Sequence, residues 1–254
     1  AAPMRFRLTA FGLHLTGSAT ALALVLGGLW LGWYRWPGWY LASALQIVGI
    51  VVMVDLVLGP TLTLIVANPG KRRTVLARDI AIIVAVQLMA LGYGGVTLWR
   101  GRPLYYTFSV DRLELVQASD LKSDDIAAGR RENPALAPFW YSRPRWIWAP
   151  LPENPEEAQK IVGGTLFGGV DVIQMPRYFR PWVQGLPQLR KQLQKVDDLK
   201  YFSPVEHQSL KNRMTRLGLP ADQANTMVMW GGNRRVLAVF DLKTLEIRAL
   251  LRAD

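Results

Sequence analysis

Cysteine is absent from the 254 residues, which excludes disulfides, thiolate metal sites and a cysteine nucleophile together. Histidine is almost absent. His14 and His207 are the two, too few and too separated for a recognisable metal or catalytic cluster. No internal period and no low-complexity linker is found, so a repeat architecture is not expected. Charge is scarce in the first hundred residues, where eight Lys and Arg face two Asp, whereas residues 101–254 carry 22 against 17 acidic residues. That asymmetry predicts two regions, 1–100 apolar and 101–254 mixed.

What fills the first region is three long apolar runs. Leu8–Trp33 is interrupted only by His14 and small polar residues, Tyr40–Val66 by Gln46 and Asp55, and Ile80–Trp99 by Gln87. Each approaches or exceeds the roughly 20 residues that cross a bilayer core. The first is longer than the apolar stretch of about 7–15 residues in a signal peptide. A three-helix transmembrane bundle is therefore expected. Ala1–Pro3 precede Met4, the expected initiator, and are set aside as foreign to the functional chain.

Short-loop Lys and Arg set orientation. Arg5 and Arg7 flank the first run, and Lys71, Arg72, Arg73 and Arg78 lie between the second and third. Both ends are expected in the cytoplasm, with the turn YRWPGW outside and its aromatics suited to the membrane interface. An odd number of spans then places residues 101–254 outside. The formal charge of +11 is partly this topology signal, and its remainder is scattered among acids, so a solvated surface is favoured over a nucleic-acid partner.

The outer region predicts a C-terminal α+β domain. LYYTFSV and RLELVQA have strand character with Asp111 between them, and RVLAVFD, DLKT and LEIRALL form an expected terminal hairpin. Ser119–Ala128 reads as a short helix. Pro134–Pro155 reads as a long ordered loop. Asn154 followed by Pro155 and two Glu is a helix start, and Ser203, Pro204 and Glu206 form a capping box ended by Gly218.

No enzyme motif emerges, and no cofactor or metal ligand set. The pairs Asp124 and Asp125, Glu156 and Glu157, and Asp197 and Asp198 diverge on a helix and read as helix-end charges. GGTLFGG lacks the Lys and hydroxyl of a phosphate loop, and His207 reads as an ordinary surface residue. The segment FWYSRPRWIWAP is different. Trp140, Trp146, Trp148, Arg143 and Arg145 are strong contact-anchor types, set against core packing and a membrane-surface contact as the other readings.

Asp55 is the sharpest candidate, because an ionised group at mid-span costs about 2.5–3.5 kcal/mol. Gly59 and Pro60 follow, and Pro60 cannot donate to the carbonyl of Leu56, so a kink with an exposed acceptor is expected. Two readings stand: an internal bond from Asp55 to Thr16, Ser18 or Thr20, or a latch for another protein's helix. Ala19, Ala23 and Gly27, with Gly28 and Gly32, form small-residue ridges that either pack the three spans or receive a guest.

DLVLGPTLTLIVANPGK, with FSVDRLELV after the third run, resembles the TfpX/TfpZ type IV pilin accessory proteins. The resemblance implies a bacterial inner-membrane protein, N-terminus cytoplasmic and C-terminal domain periplasmic, that supports pilus assembly without known catalysis. Pilins of this type carry an apolar N-terminal helix and a periplasmic head. The expectation is a chaperone or assembly factor that contacts membrane lipid and binds both parts of pilin, with Asp55, Gly59, Pro60, Gly28, Gly32 and the aromatic segment as contacts. A membrane-anchored periplasmic sensor and a pilin-modifying enzyme are the alternatives.

Overall fold

In the computed structural model, residues 2–252 are described. Ala1 of the set-aside stretch and residues 253–254 lie outside the described residues. The chain divides into two compact units, one of residues up to Arg35 with Ser43–Gly101, the other of Trp36–Ala42 with the chain from Arg102 onward.

The first unit is helical. α1 spans Ala2–Gly32, α3 Ala44–Val52, α4 Gly59–Val66 and α5 Arg73–Arg100, and a π-helical stretch, Met53–Leu58, joins α3 to α4. α1, the run Ala44–Val66 and α5 are each long and apolar enough to cross a membrane, which suggests membrane association. The second helix starts later than expected because Ser43 adopts φ 52°, a left-handed turn that separates it from the short α2, Gly38–Leu41. The third starts earlier: Lys71 pairs with Asp79 at 2.9 Å, and the helix runs through this charged lead.

Leu22, Val51 and Leu91 form the unit's buried apolar layer, flanked by Ala21, Leu26, Ile47 and Leu56. The close approach occurs at Gly94, where an added Cβ would stand 2.3 Å from Val51 Cγ2. The expected packing ridge is corrected here. At Gly27, Gly28 and Gly32 an added Cβ would meet nothing within 4 Å, so that face does not pack the three helices. At one end Arg7 Nε donates to the Ala67 carbonyl at 2.9 Å, satisfying an acceptor left over at the end of α4. At the other, Tyr34 donates to the Leu98 carbonyl at 2.6 Å and Trp33 meets Trp99 edge-on at 5.0 Å.

The second unit carries a seven-stranded mixed sheet in the order β4-β3-β1-β2-β5-β6-β7. β1 (Pro103–Ser109) and β2 (Arg112–Gln117) are the two segments of expected strand character, and they form a hairpin turning at Val110 and Asp111 rather than one continuous extended stretch. β6 (Arg234–Phe240) and β7 (Ile247–Arg252) are the expected terminal hairpin; Asp241 Oδ1 accepts from the amides of Lys243 and Thr244 at 2.8 and 3.1 Å in its turn. The loop expected over Pro134–Pro155 is corrected by β3, Arg145–Trp148, which runs parallel to β1. Ile147 is fully buried on one side while Trp146 packs on Tyr106 at 4.9 Å on the other, so both faces are apolar and no alternation marks the strand. β5 (Thr226–Gly231), parallel to β2, is hidden for the same reason. β4 (Arg180–Pro181) closes one edge.

The helix starts at Asn154 and Ser203 fall where expected, the short helix expected from Ser119 begins four residues later, and the helix Trp182–Gln192 was not expected. The short helix read over 119–128 is α6, Ser123–Glu132. Asn154 caps α7 (Pro155–Leu166) by accepting from the Glu156 and Glu157 amides. α8 spans Trp182–Gln192. Ser203 and Glu206 form the capping box of α9, Pro204–Arg216, and Gly218 takes φ +67° after it. His207, expected on the surface, is half-buried, and its Nε2 lies 3.0 Å from the Leu199 carbonyl.

Trp36–Ala42, of which 36–39 were expected in an interfacial turn and 40–42 in the second apolar run, belongs to this unit. Leu41 sits in the same core as Phe108, Leu189 and Met229. The guanidinium carbons of Arg234 and Arg252 lie 5.1 and 4.7 Å from the Tyr40 ring centre, a cation–π stack. Burial pushes the Tyr106 phenol up to about 12, opposed by its hydrogen bond with the Gly38 backbone.

Candidate functional site

Polar side chains are expensive inside an apolar helical unit, so their partners identify what they are for. Pro60 starts the chain of causes. Its ring clashes with the carbonyl four residues back and it has no N–H to give. A π turn relieves the clash, and the Gly59 amide bonds the Val54 carbonyl, five residues back. In that register the carbonyl facing Pro60 is that of Asp55. The orphan expected at Leu56 is thus moved by one residue.

Gln87 of α5 fills the gap, donating from Nε2 to the Asp55 carbonyl at 2.9 Å and to Ser18 Oγ at 3.2 Å. Gly59 makes room, since a Cβ there would stand 2.1 Å from Gln87 Nε2. A carbonyl only accepts, so Gln87 must present its amide nitrogen to Asp55 and its oxygen elsewhere. That oxygen lies 2.5 Å from His14 Nε2. His14 therefore donates from Nε2, and its Nδ1 meets the hydroxyl of Thr63, also at 2.5 Å. One proline thus sets which way the Gln87 amide faces.

The cluster lines a cleft of about 610 Å³ whose remaining walls include Phe6, Leu13, Ile80, Val84, Leu88 and Leu91. Asp55 lines it too. Its residue is 3% exposed, and its Oδ1 is buried without a hydrogen-bond partner. Neither expected internal bond from Asp55 to α1 forms at Thr16 or Thr20, whose hydroxyls donate to their own helix at the carbonyls of Gly12 and Thr16. Ser18 is taken by Gln87. Gly59 and Pro60 are buried behind Asp55. Gly28 and Gly32 do not line the cleft.

The aromatic segment divides. Trp146 packs on Trp182 at 5.1 Å, and Trp148 lies where a Cβ on Gly185 would stand 2.6 Å from its Cγ; both are core residues. Arg145 is spent on the carbonyls of Ala135 and Leu136 at 2.9 and 2.6 Å and on the Tyr105 ring. Trp140 remains 69% exposed beside Phe139 and Tyr141, and Arg143 is exposed near them. These alone keep the character of a contact surface.

A second groove, about 640 Å³ in the sheet unit, is lined by Asp111, Arg112, Glu114, Lys200 and Tyr201 among others. Burial raises the Glu114 carboxyl, opposed chiefly by Arg112. Its groups answer one another: Arg112 reaches Glu114 at 2.9 Å and Asp171 at 2.6 Å, and Thr226 donates to the Gln194 carbonyl at 2.7 Å. Among the described residues no cluster of three His, Asp or Glu is placed to hold a metal.

Similar proteins include three from Dichelobacter nodosus. The chain is 27% identical over 180 residues to the fimbrial assembly protein of serogroup I, covering 71% of this chain and 68% of that one. It is 23% identical over 214 residues to that of serogroup E1, covering 84% and 82%. With that of serogroups C1 and C2 it shares 29% over 115 residues, 45% of this chain and 88% of the other. No family profile matches the chain, and no solved structure matches it.

Proposed function

We propose that this protein is a membrane-embedded pilus-assembly factor, without catalysis of its own, that receives the apolar helix of a type IV pilin in the cleft beside Asp55. The relatives named as fimbrial assembly proteins support a role in pilus assembly. The similarity of DLVLGPTLTLIVANPGK to the TfpX/TfpZ accessory proteins supports the pilin-handling role. In this reading the three helices span a bacterial inner membrane and the sheet unit stands in the periplasm, where the exposed Phe139–Tyr141 surface is available to a pilin head. Arg5, Arg7, Lys71, Arg72 and Arg73 mark the cytoplasmic end, and Trp33, Tyr34 and Trp99 suit the opposite interface.

The observation that carries the reading is the cleft itself, an apolar opening of about 610 Å³ with a buried, unpartnered carboxylate oxygen on its wall. A helical unit with no ligand to receive gains nothing from that arrangement. In cells making pili, a photocrosslinking residue at Leu13 or Leu88, which line the cleft, is expected to capture pilin. The same residue at Met89, exposed but outside the cleft, is expected not to. Equal capture from Leu88 and Met89, or none from any position, would contradict the reading.

A further inference from the structure

The geometry points to a specificity rule for the cleft: it takes an apolar helix that carries a hydrogen-bond donor at mid-span, and Asp55 Oδ1 is the acceptor for that donor. The rule rests on the membrane-embedded reading above and adds the chemistry of the guest to it.

Completeness of the surrounding network is the first argument. His14, Thr63, Gln87 and Ser18 are bonded to one another and to the Asp55 backbone. Among the described residues, the helical unit's one buried side-chain polar atom without a partner is Asp55 Oδ1. The hydrogen bonds of the network therefore do not use the Asp55 carboxylate. Gln87 is anchored on the main chain of residue 55, whatever its side chain. A fold that wanted only to close Pro60's gap would carry an apolar residue at 55, which suits lipid better by a few kcal/mol.

Chemical type is the second argument. A carboxyl oxygen that carries no proton only accepts hydrogen bonds, so the complement of Oδ1 is an ammonium, an amide N–H or a hydroxyl. A guest carboxylate offers it no donor.

Depth is the third. Asp55 is the middle residue of the run Ala44–Val66, about 16 Å from either end at 1.5 Å per residue. A lipid amine rides at the headgroup level and does not reach that depth, whereas a donor fixed on a spanning helix does. Leu13, Val84, Leu88 and Leu91 supply most of the rest of the wall and match an aliphatic helix face, while its other polar side chains, His14, Thr63, Gln87 and Ser18, are already bonded to one another.

The test uses the full-length protein in proteoliposomes and three synthetic spanning peptides of leucine and alanine, identical except for a central Lys, Leu or Glu, with binding read by energy transfer from a label at Leu88. The Lys peptide is expected to bind about tenfold tighter than the Leu peptide, the scale of one strong contact within a membrane, and the Glu peptide no tighter than Leu. Asp55→Leu is expected to remove the Lys preference while leaving the bundle folded, because the side chain it replaces bonds nothing in the fold. Equal binding of Lys and Leu peptides by the wild type, or a Lys preference that survives Asp55→Leu, overturns the rule. If the Lys preference fails while Leu88 still captures pilin in cells, the donor rule alone is rejected. If the preference holds while Leu88 captures only a second copy of this chain, the rule stands and the pilin reading is rejected.

Discussion

Gln87→Leu is expected to lower the stability of the helical unit by about 2 kcal/mol, because it removes three contacts of the kind that average roughly 0.6 kcal/mol each inside membranes. It leaves the Asp55 carbonyl, His14 Nε2 and Ser18 Oγ without the partner that each has at 2.9, 2.5 and 3.2 Å. A denaturation series in detergent micelles reads the loss. Gln87→Glu should be nearly as damaging, since it keeps an oxygen for His14 but has no N–H for the carbonyl. The decisive arm is a double substitution. Pro60→Ala restores a main-chain N–H five residues after Asp55, so in the Gln87→Leu background it should recover part of the lost stability. Pro60→Ala alone, with the carbonyl already satisfied by Gln87, should gain much less. Absence of that coupling would show that Pro60 is not the reason Gln87 is there.

In the sheet unit, Gly231→Ala should have the larger effect. Its new Cβ would stand 2.5 Å from Leu41 Cβ, 2.8 Å from the Leu41 carbonyl oxygen and 2.9 Å from its Cα. No rotamer change relieves that contact, because two of the three atoms are main chain and the third is held by it. Overpacking of this kind costs about 1–3 kcal/mol, and Gly231→Val should exceed it. The expected failure is local: Trp36–Ala42 leaves the core, Tyr40 loses its stack with Arg234 and Arg252, and protease cuts within 36–42 well before the sheet melts. A domain of unchanged melting temperature with a protected 36–42 segment would show that this segment is not part of its core.

Much of this was legible from residue patterns. The three apolar helices, the terminal hairpin and the caps at Asn154 and Ser203 follow from local chemistry, in which a residue's neighbours in sequence are also its partners. β3 and β5 were not, because strands covered on both faces carry no alternation, and RWIW sits among prolines that resemble a loop. Asp55 stood out, but its neighbours did not. His14, Asp55 and Gln87 stand one in each apolar run, Gln46 lying nearer the end of the second, and the one signal available was that three expensive residues on different helices are cheaper together than apart. Glycine was misleading: Gly28 and Gly32 have the spacing of a helix contact and touch nothing, whereas Gly59 and Gly94 make the contacts, against Gln87 and Val51. A small residue marks a close approach only when another helix lies opposite it, and spacing along one chain does not say where the others pass.

If the cleft beside Asp55 receives pilin, it must be open for pili to be assembled. Gly17 tests it most directly, because this residue lines the cleft and a Cβ there would meet nothing within 4 Å. Gly17→Phe therefore places a bulky ring in the opening, and replacing a mid-helix glycine should leave the helix no weaker. The measurement is surface piliation in cells that make the variant at the wild-type level, alongside its melting temperature. Loss of pili with an undiminished melting temperature is expected; normal piliation by a stable Gly17→Phe protein would mean that pilus assembly does not use the cleft.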